Sequence, residues 1–150
     1  METRASHDRI VVGVDGSEAA HTALRWAAAE ATRRDSALDV VHVCALPVEA
    51  YPSPIYVDPA PLREGAAIVL QHVVDSLPPE ERPARGIHPI LVEGATSTAL
   101  LNEAEGASLL VVGSRGRGGF TGLLLGSVSR TCLHLADGPV VVVHPTWAGD

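Results

Sequence analysis

The chain has 150 residues, of which 46% are hydrophobic, 19% charged and 3% aromatic, and its formal net charge is −7. This balance is typical of one globular domain and excludes a disordered chain, and the acidic charge and scarce aromatic residues exclude a basic or base-stacking nucleic-acid binder. All 11 basic residues are arginines, which also excludes a P-loop, a Schiff-base lysine and a kinase-type lysine.

Strands and helices alternate along the sequence. Continuous β-branched runs predict buried strands, and small apolar residues at helical spacing predict helices that pack closely on a sheet. The predicted strands cover 9–14, 38–43, 87–92, 109–112 and 139–144, and the predicted helices cover 19–34, 62–77 and 127–136, with a short one ending near Gly106. Ser17 is predicted to cap the first helix, and Thr96 or Ser97 the short one.

Prolines mark two further features. The five prolines between residues 47 and 61 predict an irregular segment, because proline breaks both ladders and helices. Pro89 interrupts the third strand and therefore places it at a sheet edge.

The alternation predicts an α/β fold with an open five-stranded parallel sheet, helices on both faces and strand order 3-2-1-4-5. Residues 1–150 are predicted to form a single domain, with 1–8 and 146–150 as flexible tails. In this order the first and fourth strands are neighbours. Their following loops, 15–17 and 113–129, would then face one crevice.

The segment 113–129 is rich in glycine. Six of the 14 glycines lie between Gly113 and Gly126, and glycine allows the backbone to approach a ligand closely. A helix opening at Gly126-Ser127 offers N–H groups and a favourable dipole to an anion, which predicts a phosphate-binding loop. A mobile surface loop without a ligand is the alternative.

The spacing Gly113-x-x-Gly116, nine residues, then Gly126-Ser127 resembles the ATP-binding signature of the universal stress protein family. Segments 12–17, 41–43 and 138–143 are similar to its first, second and last strands. The resemblance covers about residues 8–145. It implies a Rossmann-like fold of the adenine-nucleotide α-hydrolase type, ATP (or ADP or AMP) with Mg²⁺ as ligands, and a homodimer built around strand 139–144.

The resemblance also implies a role for each matching residue. Asp15 would meet the ribose or a Mg²⁺ ion on the phosphates, and the Val43 backbone would bond the adenine edge. The other implied contacts are Gly13 beside the nucleoside, Val112 and Gly113 at the ribose, and Gly116, Gly126, Ser127, Val128 and Ser129 at the phosphates, with Arg115 and Arg117 as additional candidates. Asp15 as a simple helix cap, and both arginines as solvated surface residues, are the alternatives.

The seven histidines and two cysteines show no metal-ligand spacing. We expect the histidines to be packing or surface residues, and Cys44 and Cys132 to be buried free thiols in a reducing cytoplasm. Residues 1–9 lack an apolar h-region, and no apolar run approaches the ~18 residues of a membrane span. The sequence therefore predicts neither a signal peptide nor a membrane partner.

The leading interpretation is a cytoplasmic, homodimeric, ATP-binding stress protein that acts as a nucleotide-responsive regulator on an unknown protein partner. One alternative is a slow ATPase or phosphotransfer enzyme that uses the same site. The other is a nucleotide-free interaction module. The regulator is preferred because no nucleophile–base pair or carboxylate pair stands at motif spacing.

Overall fold

The protein, described here by a computed structural model for residues 8–45, 58–115 and 125–148, forms a parallel sheet flanked by helices. The strands are β1 (Arg9–Gly13), β2 (Ala37–Cys44), β3 (Ile87–Glu93), β4 (Leu109–Gly113) and β5 (Val140–Val143). The helices are α1 (Glu18–Arg34), α2 (Ala60–Asp75), α3 (Thr96–Glu103) and α4 (Ser127–Leu135), with a 3₁₀ turn at Pro79–Glu81. The sheet order is β3-β2-β1-β4-β5, which confirms the predicted fold class and strand order.

Each face of the sheet has its own apolar core, because successive strand residues point to opposite faces. Ile10 and Val12 of β1 lie in the core beneath α1 and α2. Val11 lies in the core beneath α3 and α4, together with Leu100 of α3 and Cys132 of α4. All the alanines of α1 except Ala29 are almost fully buried, and their small side groups let the helix approach the sheet closely. Helices therefore cover both faces, as predicted.

The helix starts agree with the sequence prediction at α1 but not at α3. Ser17 has extended backbone angles and its Oγ accepts a hydrogen bond from Ala20 N at 3.2 Å, so it is the cap of α1. The predicted cap of α3 at Thr96 or Ser97 is wrong, because the cap is Ala95, which makes no side-chain hydrogen bond. Gly94 has a φ of 137°, and the backbone turns there into the helix one residue early.

The proline-rich segment contains the start of α2. The helix begins at Ala60, two residues before the predicted start, with Pro61 in its first turn. Proline is tolerated there because the first-turn N–H groups have no partner within the helix. Residues 47–57, which make up most of this segment, lie outside the described part of the protein.

The position of β3 at a sheet edge confirms the prediction made from Pro89. Leu38 N donates to Gly86 O at 3.1 Å, and Gly94 N donates to Cys44 O at 3.2 Å. The even-numbered peptide groups of β3 therefore face β2, and the odd-numbered ones face away from the sheet. The N–H that Pro89 lacks belongs to the outer row, where no ladder bond is lost.

Arg9 anchors the end of α3 to the sheet. Its buried guanidinium donates to Asp39 Oδ2 on β2 at 3.2 Å, and to Glu103 O and Glu105 O at 3.0 and 2.7 Å. Those two carbonyls lie at and just beyond the C-terminal end of α3, where a cation also complements the helix dipole. Arg9, the first residue of β1, thus fixes α3 to the sheet. Leu100 of the same helix lies beside Gly13 at the other end of β1.

Candidate functional site

The C-terminal ends of β1 and β4 lie side by side. Val12 pairs with Val111, so the two strands run in parallel to the same edge, where each ends at a glycine. The Asp15 turn leaves from β1, and the segment that leads to α4 leaves from β4. The prediction that the first and fourth strands are neighbours is therefore confirmed, and both segments leave from one edge of the sheet, although residues 116–124 of the second segment lie outside the described part of the protein.

Gly13 and Gly113 allow helices to pack against these strand ends. A Cβ built on Gly13 would lie 2.6 Å from Leu100 Cδ2 of α3. A Cβ built on Gly113 would lie 3.0 Å from both atoms of the Ala19 backbone carbonyl in α1. Each glycine thus has a packing role in addition to the nucleoside and ribose contacts implied by the resemblance. Val112 is buried in the core, so only its backbone is available at the edge.

Asp15 stands in a tight turn ahead of α1. Its Oδ1 accepts a hydrogen bond from Ser17 N at 2.9 Å, and Gly16 adopts a φ of 81°. This is the local bond that aspartate commonly makes two residues ahead in a turn. Because Ser17 caps the helix, Asp15 is not its cap; Asp15 is half-buried and stands two residues beyond the end of β1.

The N-terminus of α4 is not capped by a side chain. Gly126 is the cap residue, and its N–H donates to Ser114 O at 2.6 Å, which ties the helix start to the end of β4. The Ser129 hydroxyl is buried and donates to Gly126 O at 3.0 Å. The first-turn N–H groups of Ser127, Val128 and Ser129 are therefore the donors at this end, and the helix dipole favours an anion there.

Ser114 was not among the predicted site residues. Its N–H donates to Val143 O at 2.9 Å, and its carbonyl accepts from Gly126 N. Its Oγ is fully buried and has no hydrogen-bond partner among the described residues. A buried hydroxyl without a partner carries a desolvation cost, so Ser114 is a candidate site residue. Its position between Gly113 and Gly116 of the signature was the available sequence signal.

The end of β2 also belongs to this edge. Val14 N donates to Val41 O at 2.9 Å, and this bond completes the last β1–β2 pair, Gly13 with Val41. Val14 O accepts a hydrogen bond from the imidazole Nδ1 of His42 at 2.7 Å. His42 was predicted only as a packing or surface residue, so this contact was missed. Val43, the next residue, is half-buried.

Two cationic side chains flank the start of α4. Arg115 is the last described residue before the gap at 116–124, and its side chain is exposed. Arg130 is also exposed, and its Nη2 lies 3.5 Å from Leu125 O. Arg130 was not predicted as a site residue. Gly116 and Arg117, which were predicted to contact phosphate, lie outside the described residues.

Both cysteines are buried, as predicted, and burial raises the pKa of the Cys132 thiol, which keeps it protonated. No group of three or more His, Cys, Asp or Glu residues able to hold a metal ion occurs within residues 8–45, 58–115 and 125–148. A metal at Asp15 would therefore need oxygen ligands from the bound molecule as well.

Comparisons with known proteins identify the family of this chain. The family model described as the universal stress protein family matches residues 6–144. The chain belongs to the universal stress protein family. A universal stress protein of Mycolicibacterium smegmatis is 34% identical over 150 residues that cover 96% of this chain. That alignment takes in only 50% of the relative, so the chain spans about half the length of the curated proteins it matches.

Solved structures of universal stress proteins share the fold. The UspA protein from Lactobacillus plantarum has a TM-score of 0.72 at 23% identity, covering 91% of this chain and 97% of that one. A universal stress protein solved in complex with cAMP has a TM-score of 0.69 at 26% identity, covering 93% and 98%. In the described parts of this family member, no helix is both long and apolar enough to cross a membrane.

Proposed function

We propose that this chain binds an adenine nucleotide, with ATP as the main ligand, between the ends of β1 and β4. The observation that carries the proposal is the uncapped start of α4, with the buried, unpartnered Ser114 hydroxyl directly before it and the Asp15 turn across from it. A helix start with free N–H groups is a natural phosphate site. The cAMP complex of a family member with 26% identity supports the choice of an adenine nucleotide.

The residues present suit the parts of ATP. The N–H groups of Ser127, Val128 and Ser129, together with Gly126, would hold the phosphates. Arg115 and Gly116 would add to them from the segment before α4. Asp15 would bind the ribose, or one Mg²⁺ ion that keeps its remaining ligands from phosphate and water. Val112, Gly113 and Gly13 would line the ribose and nucleoside, and the Val43 backbone would meet the adenine.

The negative net charge of the protein opposes the binding of an anionic ligand, and arginines at the proposed site would reduce this repulsion. The protein has a formal net charge of −7 and no lysine. ATP is itself highly anionic, so the dipole of α4 and the exposed Arg115 and Arg130 side chains would offset repulsion from the rest of the surface. Mg²⁺ bound to the phosphates would lower the repulsion further.

We further propose a regulatory role in the cytoplasm, as a nucleotide-responsive homodimer in the stress response. The described site offers one carboxylate, Asp15, and no lysine, which suits binding better than rapid phosphoryl transfer. Steady phosphate release that Asp15→Ala abolishes would favour the ATPase alternative. Release no faster than in buffer would speak against it.

The test begins with the purified protein. It is denatured, released nucleotides are identified by mass spectrometry, and the nucleotide-free protein is titrated with ATP by calorimetry. Asp15→Ala and Gly126→Ala should each weaken ATP binding by about tenfold or more, corresponding to about 1.4 kcal/mol. Asp75→Ala on the exposed face of α2 and Gly138→Ala, which has no atom within 4 Å of its added Cβ, are matched controls.

Ser114→Ala tests whether the buried Ser114 hydroxyl contributes to ATP binding. Without nucleotide, the variant should be as stable as the wild type or slightly more stable, because the hydroxyl has no described partner to lose. With ATP, the rise in melting temperature should be smaller than in the wild type. No ATP binding by the wild type at millimolar concentration would refute the proposed function.

A further inference from the structure

We propose that His42 is a positioning residue that ends the β1–β2 ladder one rung early and thereby leaves the backbone of Val43 open to the nucleotide base. The inference rests on the proposed function, because it concerns how the same site recognises adenine. It assigns a role to a side chain that would otherwise be a half-buried strand residue.

The direction of the Val43 peptide groups follows from the ladder bonds around it. Ala37 N donates to Asp8 O and Val14 N donates to Val41 O, so the odd-numbered residues of β2 bond toward β1. Cys44 O accepts from Gly94 N, so the even-numbered residues bond toward β3. By this alternation the N–H and C=O of Val43 face the β1 side, beyond the point where β1 ends.

The next rung of a parallel ladder would join Val43 N to Val14 O. That bond is absent among the described residues, and the pairing of β1 with β2 stops at Gly13 and Val41. His42 Nδ1 occupies Val14 O at 2.7 Å instead. The imidazole of His42 therefore substitutes for the Val43 N–H, which keeps Val14 O satisfied while β2 diverges from the Asp15 turn.

The acceptor of this hydrogen bond determines which ring nitrogen of His42 carries the hydrogen. A carbonyl oxygen only accepts, so Nδ1 of His42 carries the hydrogen whether the ring is neutral or protonated. Asparagine can present its amide N–H near the position of Nδ1, whereas glutamine presents it near Nε2. The two amides thus distinguish a requirement for the Nδ1 donor from a requirement for any polar side chain.

The freed peptide groups match adenine and not guanine. A backbone N–H and C=O side by side can donate to adenine N1 and accept from its N6 amino group. Guanine carries an N1–H donor and an O6 acceptor in those places. The backbone N–H would then face a donor and the backbone C=O would face an acceptor, so neither hydrogen bond could form. A site that recognises its ligand by such buried bonds rejects the analogue with the wrong pattern.

The experiment measures binding of ATP, GTP and inorganic triphosphate to the wild type and to His42→Asn, His42→Gln and His42→Leu. We expect His42→Asn to bind ATP within about threefold of the wild type, and His42→Gln and His42→Leu to bind it about tenfold more weakly, the equivalent of one hydrogen bond. The preference for ATP over GTP should shrink in the same two variants. Triphosphate, which has no base, should bind all four proteins equally.

A second measurement needs no nucleotide. In His42→Leu, Val14 O loses its side-chain donor, and Val43 N–H can close the missing rung. The Val43 amide should then exchange with solvent about tenfold more slowly than in the wild type, as measured by NMR. His72→Asn, on the exposed side of α2, is the matched control and should leave both the binding and the Val43 exchange unchanged.

Three results would overturn the inference. ATP affinity that is the same in His42→Leu and the wild type would do so, as would an equal loss of affinity for ATP and triphosphate, which indicates damage to the whole site. Unchanged exchange of the Val43 amide would disprove the ladder argument itself. If the wild type binds no ATP, the proposed function fails with the adenine part of this inference, and the exchange measurement still decides the ladder part.

Discussion

Gly13 and Gly113 end adjacent strands, but the atoms that exclude a side chain differ between them. At Gly13 the obstacle is the end of a side chain, Leu100 Cδ2, in a closed part of the core. At Gly113 the obstacle is the backbone of Ala19 in the first turn of α1. A second mutation can shorten the Leu100 side chain, but no mutation removes the Ala19 backbone. A shorter residue 100 should therefore relieve the cost of a side chain at position 13, and no such relief exists at position 113.

The residue-scale prediction is a double-mutant cycle. Gly13→Ala and Gly113→Ala should each lower the free energy of unfolding by about 1–3 kcal/mol through overpacking. Leu100→Ala should offset part of the Gly13→Ala cost, with a favourable coupling of about 1 kcal/mol, and should not offset Gly113→Ala. Urea denaturation of the wild type and of the single and double variants gives these values, and Gly138→Ala should change the free energy of unfolding by less than about 0.5 kcal/mol. Equal coupling at both glycines would contradict the packing described.

At the scale of single elements, the end of α1 illustrates how two effects of opposite sign act on one carboxylate. Burial raises the pKa of Glu30, but hydrogen bonds from Arg34 and Arg33 outweigh it, so the pKa lies below its ordinary value. The guanidinium of Arg33 donates to both carboxylate oxygens, at 2.8 and 2.6 Å. Both arginines stand on the last turn of α1, where cations also complement the helix dipole.

The element-scale prediction follows from the direction of that pKa change. A carboxylate whose pKa is lowered in the folded state stabilises the protein above its unfolded pKa of about 4.3, and this contribution is lost as the pH falls through the folded pKa. Glu30→Gln should therefore destabilise the protein by less than about 1 kcal/mol at pH 7, because the arginines are largely exposed. The difference from the wild type should disappear toward pH 3.

Thermal unfolding between pH 3 and pH 7 measures this difference. The matched control is Glu64→Gln, which changes an exposed carboxylate on α2. Its effect on stability should be small at every pH. A Glu30→Gln variant that is least stable, relative to the wild type, at acidic pH would contradict the expected sign.

At the scale of the whole molecule, the two edges of the sheet differ. The outer row of β3 contains Pro89, which removes a donor from that edge. The other edge strand, β5, consists of four valines. The helix that precedes it, α4, exposes Leu133 and Leu135, whose relative exposures are 46% and 65%. An apolar edge strand flanked by exposed leucines suits pairing with a second copy, which supports the proposed homodimer through residues 139–144.

The whole-molecule prediction uses the alternation of peptide groups in β5. Leu110 N donates to Pro139 O and Ser114 N donates to Val143 O, so odd-numbered residues face β4 and even-numbered ones face outward. Val142→Pro removes an outward N–H, as Pro89 does in β3, and should convert the dimer to a monomer with little loss of stability. Sedimentation velocity measures the mass, and thermal unfolding measures the stability.

Val141→Pro is the matched variant on the other row. Its N–H faces β4, so the substitution should break the ladder and lower the free energy of unfolding by about 3 kcal/mol or more. A Val142→Pro protein that remains dimeric, or a wild type that is monomeric at micromolar concentration, would rule out this interface.

Much of the fold could be predicted from the sequence because its signals are local and periodic. The β-branched runs marked all five strands, Ser17 marked the start of α1, and Pro89 marked an edge. The spacing of glycines between Gly113 and Gly126 indicated the family, which the comparison over residues 6–144 established. The start of α3 was predicted wrongly, because Gly94 redirects the backbone before the two hydroxyl residues that normally signal a cap.

The sequence by itself thus determined the order of elements, the family and the edge at which a ligand is expected. Only the tertiary structure decided which atoms meet there, since those atoms come from residues far apart in the sequence. Leu100 fills the space beside Gly13, His42 takes the carbonyl of Val14, and Ser114 is buried against the start of α4. No periodicity encodes such contacts, because they depend on how the strands diverge and how closely each helix approaches the sheet.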